Sequence, residues 1–448
     1  MAEELKVRYY KPRDEFKLDV TDIENFVYDM SRCIKCKGCT WVEHTYMPGA
    51  KFMTRCPSAT VYEFDAYGAY GKMRIGHAMA EGLLDWNEKA LEVMYACTLC
   101  GACDVGCKRN LDLEIGLTLE SLRVKAVQDG VGPMPAHKKL AANIEKKHNF
   151  YGAAHKNRTG WLAEDIQPAR KADIVYFVGC NASYKNPEIA RSTAKIIQAA
   201  GDDFMLLPNE WCCGNTLFSV GLYDEAKALA ERNVEAMRKT GAKTLLTSCA
   251  EGYRMWKVDY PKLLEIATED LGFEVIHLVE YAGDRIAKGA LKTTRPFETR
   301  MTYHDSCSLS RLSEPWTPYE GKRGWMGCVE PRLKRRRGRN GVYFPPRDIL
   351  KGIPGVDLVE MPRMRENAFC CGAGRGTKEA FPDFARKSAN HRLEEVREIG
   401  AETLVAACPW CKSHFSEVTG ENGDAIQVLD IAEVICASLD ASAQGGKS

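Results

Sequence analysis

The 448-residue sequence predicts a multidomain α+β protein, in which a helical N-terminal domain precedes two tandem α/β repeats. Three observations predict this architecture. Two runs of closely spaced cysteines occupy residues 33–57 and 97–107. From residue 172 onward, short apolar strand segments alternate with helical segments, which is typical of parallel sheets. The same order of strands, helices and cysteines recurs from residue 301, which indicates an internal duplication.

The composition is that of an ordinary globular protein, with 45% hydrophobic and 27% charged residues. The formal net charge of +1 gives no reason to expect a nucleic-acid partner. The N-terminus is polar and lacks the apolar core of a signal peptide, and no window is long enough to span a bilayer. We therefore expect a soluble, cytoplasmic protein without a transmembrane segment. Peripheral attachment to a membrane through a partner stays open.

Cysteine is unusually frequent, with 19 residues, of which 17 fall into spaced groups. In a reducing compartment such groups favour metal or redox chemistry over disulfides. Cys328 and Cys436 lie outside the groups. Because Cys436 lies on the apolar face of a predicted helix, we expect it to be a core residue.

The two N-terminal runs have the spacing of ligands for iron–sulfur cubes. The second run reads Cys97-x-x-Cys100-x-x-Cys103-x-x-x-Cys107, and the first reads Cys33-x-x-Cys36-x-x-Cys39 with a later Cys56-Pro57. In two-cluster ferredoxins the fourth cysteine of a run binds the other cube. By that rule one [4Fe-4S] cube takes Cys33, Cys36, Cys39 and Cys107, and the other takes Cys97, Cys100, Cys103 and Cys56. Two zinc sites are the alternative, but structural zinc sites do not require cysteine triplets with distant fourth ligands.

We place the helical domain at residues 1–127 and predict helices over 71–94 and 111–127 from their apolar periodicity. Residues 128–170 are predicted to form a connector with some helix. Its histidines, at positions 137, 148 and 155, are expected to be surface or capping residues rather than ligands.

The first α/β repeat is placed at residues 171–300. Strands are predicted over 174–178, 204–207 and 244–247, with helices over 187–200 and 223–240. Its cysteines lie at strand ends or in loops, where parallel sheets place ligands. They are Cys180, Cys212, Cys213 and Cys249.

The second repeat is placed at residues 301–448, with predicted strands over 301–304, 357–361 and 403–407 and helices over 346–352 and 384–399. Its cysteines are Cys307, Cys370, Cys371, Cys408 and Cys411. Between the double cysteine and the next cysteine lie 35 residues in the first repeat and 36 in the second. An insertion over 311–345 carries a basic run at 334–339, which we expect to be a solvated face or a docking patch for an acidic partner.

Each repeat contains a Cys-Cys-Gly turn, whose adjacent thiols point in different directions. Such a pair suits an extended cluster better than a cube, and the glycine permits a turn with positive φ. For the first repeat, a zinc site formed by its four cysteines is the alternative. His304 and Asp305, just before Cys307, are candidates for hydrogen bonds that tune a cluster, with strand-end capping as the alternative. No dinucleotide or phosphate-binding motif is evident, so electrons must come from another subunit.

The duplicated pattern Cys…Cys-Cys-Gly…Cys-x-x-Cys resembles the cysteine-rich domain of the B subunit of heterodisulfide reductase, and the two-cube run resembles the C subunit. Joined in this order over residues 30–430, they resemble the D subunit of heterodisulfide reductase and its relatives. The resemblance implies a noncubane [4Fe-4S] cluster at the complete motif of the second repeat, Cys307, Cys370, Cys371, Cys408 and Cys411. In the first repeat Gly252 stands where the last cysteine is expected, so a further cluster, zinc or nothing stays open there.

The resemblance also implies a function. We expect an iron–sulfur electron-transfer subunit of an anaerobic oxidoreductase complex, which relays electrons between a partner and the noncubane cluster. The partner would be a flavoprotein similar to the A subunit of heterodisulfide reductase, or a ferredoxin-type protein. The class II benzoyl-CoA reductase complex is one setting in which such relatives serve. The alternatives are a disulfide reductase subunit with the noncubane cluster as its active site, and a zinc-stabilised scaffold; no catalytic residue is assigned.

Overall fold

The structure, a computed structural model, describes residues 14–43, 47, 49–107, 113–324, 328–333, 336 and 338–440. Three residues of the predicted basic run, at positions 334, 335 and 337, lie outside this part of the chain. The expectation of mixed helix and sheet is confirmed. Within the described ranges, no helix has the length and apolar character needed to cross a bilayer.

The N-terminal part is helical except for one short strand. Its helices and those of the connector are α1 (Val27–Arg32), α2 (Pro57–Tyr62), α3 (Ala69–Ala80), α4 (Glu88–Tyr95), α5 (Ala102–Cys107), α6 (Ile115–Gln128) and α7 (Pro135–Lys147). The helix predicted over 71–94 is wrong as one element, because it is broken between α3 and α4. Gly82 adopts a φ of 69°, which ends the first helix, and the side chain of Asn87 caps the second by accepting from Ala90 N at 2.9 Å.

The strands of the described residues are β1 (Glu15–Lys17), β2 (Ile174–Tyr176), β3 (Phe204–Leu206), β4 (Thr244–Thr247), β5 (Glu274–His277), β6 (Thr299–His304), β7 (Glu320–Arg323), β8 (Val329–Glu330), β9 (Val356–Leu358), β10 (Thr403–Ala406) and β11 (Gln427–Asp430). Two parallel sheets have the orders β3-β2-β4-β5 and β9-β6-β10-β11. In register, Val175 lies opposite Met205 and Leu245, and Val405 lies opposite Tyr303. The strand order of the first repeat is thus repeated in the second.

Helices connect the strands of both sheets. In the first repeat they are α8 (Gly179–Tyr184), α9 (Pro187–Ala199), α10 (Asn215–Ser219), α11 (Tyr223–Thr240), α12 (Ala250–Arg254), α13 (Tyr260–Leu264) and α14 (Leu278–Ala287). In the second they are α15 (Phe344–Gly352), α16 (Thr377–Ala380), α17 (Pro382–Glu398), α18 (Pro409–Asn422) and α19 (Ile431–Ala437). One hydrophobic core runs through both repeats, and a separate core fills the N-terminal helices.

A small antiparallel sheet joins the N-terminal segment to the insertion in the second repeat. Strand β1 pairs with β7 of the insertion, with Phe16 opposite Gly321, and β7 pairs with β8. Phe16 is almost fully buried there. The N-terminal segment is therefore anchored on the insertion of the second repeat, which brings the N-terminal cysteines beside that repeat.

Buried ion pairs join the N-terminal helices to the first repeat. Glu120 of α6 accepts from Arg254 at 2.9 Å and from Lys262 at 2.7 Å, and both cations also contact Asp259. All four side chains are buried. Two cations and two carboxylates thus compensate each other at this interface.

Candidate iron–sulfur sites

The first thiol group consists of Cys33, Cys36, Cys39 and Cys107. Lys35 and Lys37 adopt φ values of 56° and 61°, which turn the loop after α1 around its thiols. Burial first, and then the neighbouring thiols of Cys56, Cys107 and Cys33, raise the pKa of Cys39. Cys107 reaches this loop because Gly106 precedes it: a Cβ at Gly106 would lie 2.2 Å from the Gly38 carbonyl oxygen. The fourth cysteine of one run therefore lies beside the other run.

The second thiol group consists of Cys56, Cys97, Cys100 and Cys103. Cys56 precedes α2, and burial raises its pKa to about 11 although Lys72 acts in the opposite direction. Its neighbours include Cys97 and Cys100. All four thiols line a cavity of about 490 Å³. Four converging thiols around such a cavity suit a [4Fe-4S] cube.

The third thiol group consists of Cys307, Cys370, Cys371, Cys408 and Cys411, from the second repeat. The Sγ atoms of Cys371 and Cys411 are 3.4 Å apart. Gly372 adopts a φ of 92°, and a Cβ there would lie 2.7 Å from the Ala385 carbonyl oxygen. The glycine of the Cys-Cys-Gly turn thus permits both the conformation and the close approach to α17.

The other thiols of this third group also lie beside one another. Cys370 neighbours both Cys307 and Cys371, and Cys408 neighbours Cys411. The hydrogen bond with Cys370, followed by the positive charges of Arg375 and Arg311, lowers the pKa of Cys307 to about 7 despite burial. The structure therefore brings together the five thiols predicted from the motif. Adjacent thiols of this kind suit an extended cluster.

The two residues proposed to tune this group have different surroundings. His304 lies with Cys371 and Cys411 in a set whose ligand atoms are all within 4.8 Å of one another, and Arg392 Nε donates to its Nδ1 at 3.3 Å. Asp305 instead accepts two hydrogen bonds from Arg347, at 2.8 and 2.9 Å. His304 can therefore act directly on the third group, whereas Asp305 forms a buried ion pair.

The fourth thiol group consists of Cys180, Cys212, Cys213 and Cys249, from the first repeat. Cys212 neighbours Cys180 and Cys213. Cys249 neighbours Cys408 of the third group and, more weakly, Cys213. The structure thus brings three thiols of the first repeat together and places the last one at the boundary with the second repeat.

The connector supplies a cation to the fourth group. Arg158 Nη2 donates to Cys180 Sγ at 3.6 Å, while its Nη1 forms a buried ion pair with Glu210 at 2.6 Å. Glu210 also accepts from the backbone N–H groups of Val178 and Gly179, at 2.9 Å each. No sequence motif marks Arg158, because the contact depends on the folding of the connector over the first sheet.

The sequence predicts surface or capping positions for the connector histidines. His148 is the C-cap residue of α7, as expected, and it stacks on Trp211 of the Cys-Cys-Gly loop with ring centroids 3.6 Å apart. Arg232 lies 3.7 Å from the same Trp211 ring. His137 is buried, and its Nε2 lies 3.0 Å from the Gly376 carbonyl oxygen. The expectation is therefore wrong for His137, which packs on the second repeat.

The groups form one connected series. Cys39 neighbours Cys56, which links the first group to the second. Cys100 neighbours Cys370, which links the second group to the third. Cys408 neighbours Cys249, which borders the fourth group. Each thiol group therefore has another group beside it, from the N-terminal loop to the first repeat.

A small cavity beside the third group contains charged groups that the sequence reasoning missed. It is lined by Glu251, Arg375 and Trp410 as well as by thiols of the group. Asn215 donates to Glu251 at 2.8 Å. Burial, followed by the Cys408 thiol, raises the pKa of Glu251 to about 8. Arg375 lies in the glycine-rich stretch after the double cysteine. That stretch is the one feature of the sequence that could have pointed to this cavity.

Comparison with known proteins supports these assignments at the level of the family. A 4Fe-4S dicluster domain matches residues 29–111, and a cysteine-rich domain named for its Cys-Cys-Gly motif matches residues 174–255 and 325–416. These matches support 4Fe-4S clusters in the N-terminal part and cysteine-rich iron–sulfur sites in the repeats.

Curated relatives match over most of the chain. The D subunit of the dihydromethanophenazine:CoB–CoM heterodisulfide reductase of Methanosarcina acetivorans is 32% identical over 93% of this chain and 95% of its own length. The B subunit of the fumarate reductase (CoM/CoB) of Methanothermobacter marburgensis is 26% identical, covering 90% of this chain and 71% of its own length. The EtfAB:quinone oxidoreductase of Syntrophomonas wolfei is 26% identical over 78% of this chain and 47% of its own length. This chain belongs to the family of iron–sulfur oxidoreductases that resemble the D subunit of heterodisulfide reductase.

Proposed function

We propose that this chain is an electron-transfer subunit of an anaerobic oxidoreductase complex. The single observation that carries the proposal is the order in which the thiol groups neighbour one another: Cys39 is near Cys56, Cys100 is near Cys370, and Cys408 is near Cys249. Iron–sulfur clusters held in such a series would exchange single electrons between neighbouring groups. A zinc scaffold would not require the thiol groups to neighbour one another.

In this proposal the first and second thiol groups each hold a cubane [4Fe-4S] cluster, and the third holds a noncubane [4Fe-4S] cluster. The helical domain spans residues 1–127, the connector 128–170, the first repeat 171–300 and the second repeat 301–448. The fourth group lacks a fifth cysteine, since Gly252 occupies that position. It would hold a smaller cluster or zinc, for which four thiolates suffice.

The surface at the first group fits an electron-carrying partner. Cys36 is exposed, so this group reaches the surface. The nearby side chains of Ile34, Trp41 and Phe64 are 69%, 45% and 66% exposed. Exposed apolar side chains that form a contiguous patch mark interaction sites, and these three all lie on segments beside the first group. We assign the partner as a flavoprotein similar to the A subunit of heterodisulfide reductase, or a ferredoxin-type protein, which docks there.

Disulfide reduction at the third group is the second candidate function. It is favoured by the small cavity beside this group. Glu251 of the first repeat and Arg375 of the second line that cavity together with Cys307 and Cys411. The relative in Methanosarcina acetivorans is itself named a heterodisulfide reductase component. The loss of the fifth cysteine at Gly252 favours the relay, because only one repeat keeps a complete motif.

Three measurements on anaerobically purified protein test the proposal. Metal and sulfide analysis should give at least about twelve irons per chain, four for each of three clusters, with either further iron or one zinc at the fourth group. Affinity purification from the native source under anaerobic conditions should recover a flavoprotein or ferredoxin-type partner. The reduced chain alone should fail to turn over disulfides, whereas turnover would support the reductase. A colourless protein without sulfide would exclude both functions and leave the zinc scaffold.

A further inference from the structure

Three buried arginines hold the backbone of the second thiol group. Arg123 Nη2 donates to the Cys97 carbonyl at 2.6 Å, and Arg311 Nε donates to the Cys100 carbonyl at 2.6 Å. Between them, Arg375 Nη1 donates to the carbonyls of Thr98 and Leu99, at 2.7 and 2.5 Å. Four consecutive carbonyls of one cysteine run thus accept from guanidinium groups. We call Arg123, Arg311 and Arg375 the arginine clamp.

The clamp connects this run to the other cysteine-bearing segments. Arg311 Nη1 also donates to the Ala368 carbonyl at 2.6 Å, two residues before Cys370. Arg375 Nη2 donates to Ser308 Oγ at 2.7 Å, beside Cys307. Through these bonds, Arg311 and Arg375 fix the position of the second thiol group relative to the third.

The clamp also concentrates positive charge. Arg123, Arg311 and Arg375 are 2%, 4% and 3% exposed, and the hydrogen bonds described above go to uncharged oxygens. Within the described part of the chain, Arg311 Nη2 and Arg375 Nε have no hydrogen-bond partner. Burial of a cation is costly unless an opposite charge compensates it. Glu251 near Arg375 and Glu120 near Arg123 are the neighbouring carboxyl groups. A cluster held by four thiolates would supply further negative charge, together with sulfur acceptors, at this place.

We propose that the arginine clamp raises the reduction potential of the cluster at the second thiol group above that of the cluster at the first. This inference rests on the proposed function. A reduced cluster carries one more negative charge than an oxidised one, so buried cations beside it favour reduction. The first group reaches the surface at Cys36, so water and salt there screen charges beside it. Electrons that enter at Cys36 would therefore move inward to the second group.

The test is an EPR-monitored redox titration of the full chain with its clusters, and the signal of the second cube is identified by its loss in Cys103→Ser. In Arg311→Gln and Arg375→Gln, the potential of the second cube should fall by at least 59 mV, a tenfold change in the ratio of reduced to oxidised cluster. Arg375→Lys keeps the charge and should retain most of the wild-type potential.

Arg238→Gln is the matched control, because Arg238 also donates to two carbonyls, those of Leu271 and Asp270, at 2.9 and 2.8 Å. It should leave every potential unchanged. Unchanged potentials in both clamp variants, or a second cube with a lower potential than the first in the wild type, would overturn the inference while leaving the relay intact. If both glutamine variants fail to bind iron, the potential of the second cube in Arg375→Lys is the deciding measurement. A tenfold fall in the ratio of reduced to oxidised cluster in that variant would also overturn the inference. Wild-type protein without cubane signals would refute the relay itself.

Discussion

The thiol of Cys249 neighbours the thiol of Cys408, although the two residues belong to different repeats. They occupy equivalent positions, because Cys249 follows β4 and Cys408 follows β10. The carboxyl ends of the two parallel sheets therefore face each other. As a consequence, the fourth thiol group borders the third. A substitution in one repeat can therefore affect the group in the other.

Replacement of Cys411 should remove one cluster and spare two. In Cys411→Ser we expect the noncubane signal and about four irons to be lost, with the cubane signals retained, because the Cys411 Sγ lies 3.4 Å from that of Cys371 in the third group. EPR spectra and iron content measure this. Cys436→Ser, a half-buried thiol on α19, is the control and should bind as much iron as the wild type. Loss of all signals together would contradict the separation of the third group from the cubes.

Restoration of the fifth cysteine should let the first repeat bind more iron. A Cβ at Gly252 would lie 3.6 Å from both Cys249 Cβ and Thr247 Oγ1, which is ordinary contact, so Gly252→Cys should fold. We expect an increase in iron per chain and a second noncubane-type signal, measured by metal analysis and EPR. Gly420→Cys, where nothing lies within 4 Å of an added Cβ, places a new thiol on α18 and should add no iron. An unchanged iron content in Gly252→Cys would mean that the fifth ligand does not limit this site.

The membership of each thiol group was largely predictable from sequence, because local spacing determines which thiols share a turn. Cys97, Cys100 and Cys103 are such a case, as are Cys370 and Cys371. The contacts between groups were not predictable. Cys100 meets Cys370, and Cys249 meets Cys408, only because distant segments pack together.

In the fold as well, features set by local sequence were predictable and features set by tertiary packing were not. The alternation of strands and helices and the duplication were evident in the apolar pattern, but the outer strands β5 and β11 were missed. Both are short, and their outward-facing residues Glu274 and Gln427 are exposed, which weakens the buried-strand signal. The arginine clamp was also missed, because single arginines such as Arg123 carry no motif.

Exchange of fourth ligands between the two runs can be tested with one serine substitution in each. Cys107→Ser should impair the cube of the first thiol group, since the Cys107 thiol neighbours Cys39. Cys56→Ser should impair the cube of the second, since Cys56 neighbours Cys97 and Cys100. EPR-monitored redox titration distinguishes the two cubes by their potentials. If each substitution impaired the cube of its own run instead, ligand exchange would be disproved.

The buried ion pairs at Glu120 should stabilise the attachment of the N-terminal helices. Burial alone would raise the pKa of Glu120, but Lys262 and Arg254 lower it to about 2. Glu120→Gln leaves these two buried cations short of a carboxylate, and we expect it to reduce the free energy of unfolding by roughly 3–5 kcal/mol. Thermal unfolding under argon, followed by tryptophan fluorescence, measures the difference from wild type.

The dependence of this difference on pH follows from the direction of the pKa shift. A carboxyl whose pKa is lower in the folded state stabilises the fold above its unfolded pKa, near 4.5, and loses that contribution as pH falls toward 2. The difference between wild type and Glu120→Gln should therefore be constant from pH 8 to pH 5. Glu235→Gln, which breaks only the exposed pair with Lys239, should leave the free energy of unfolding nearly unchanged. A difference that shrinks between pH 8 and pH 5, or one as small as in Glu235→Gln, would show that Glu120 is not held as a buried carboxylate at this interface.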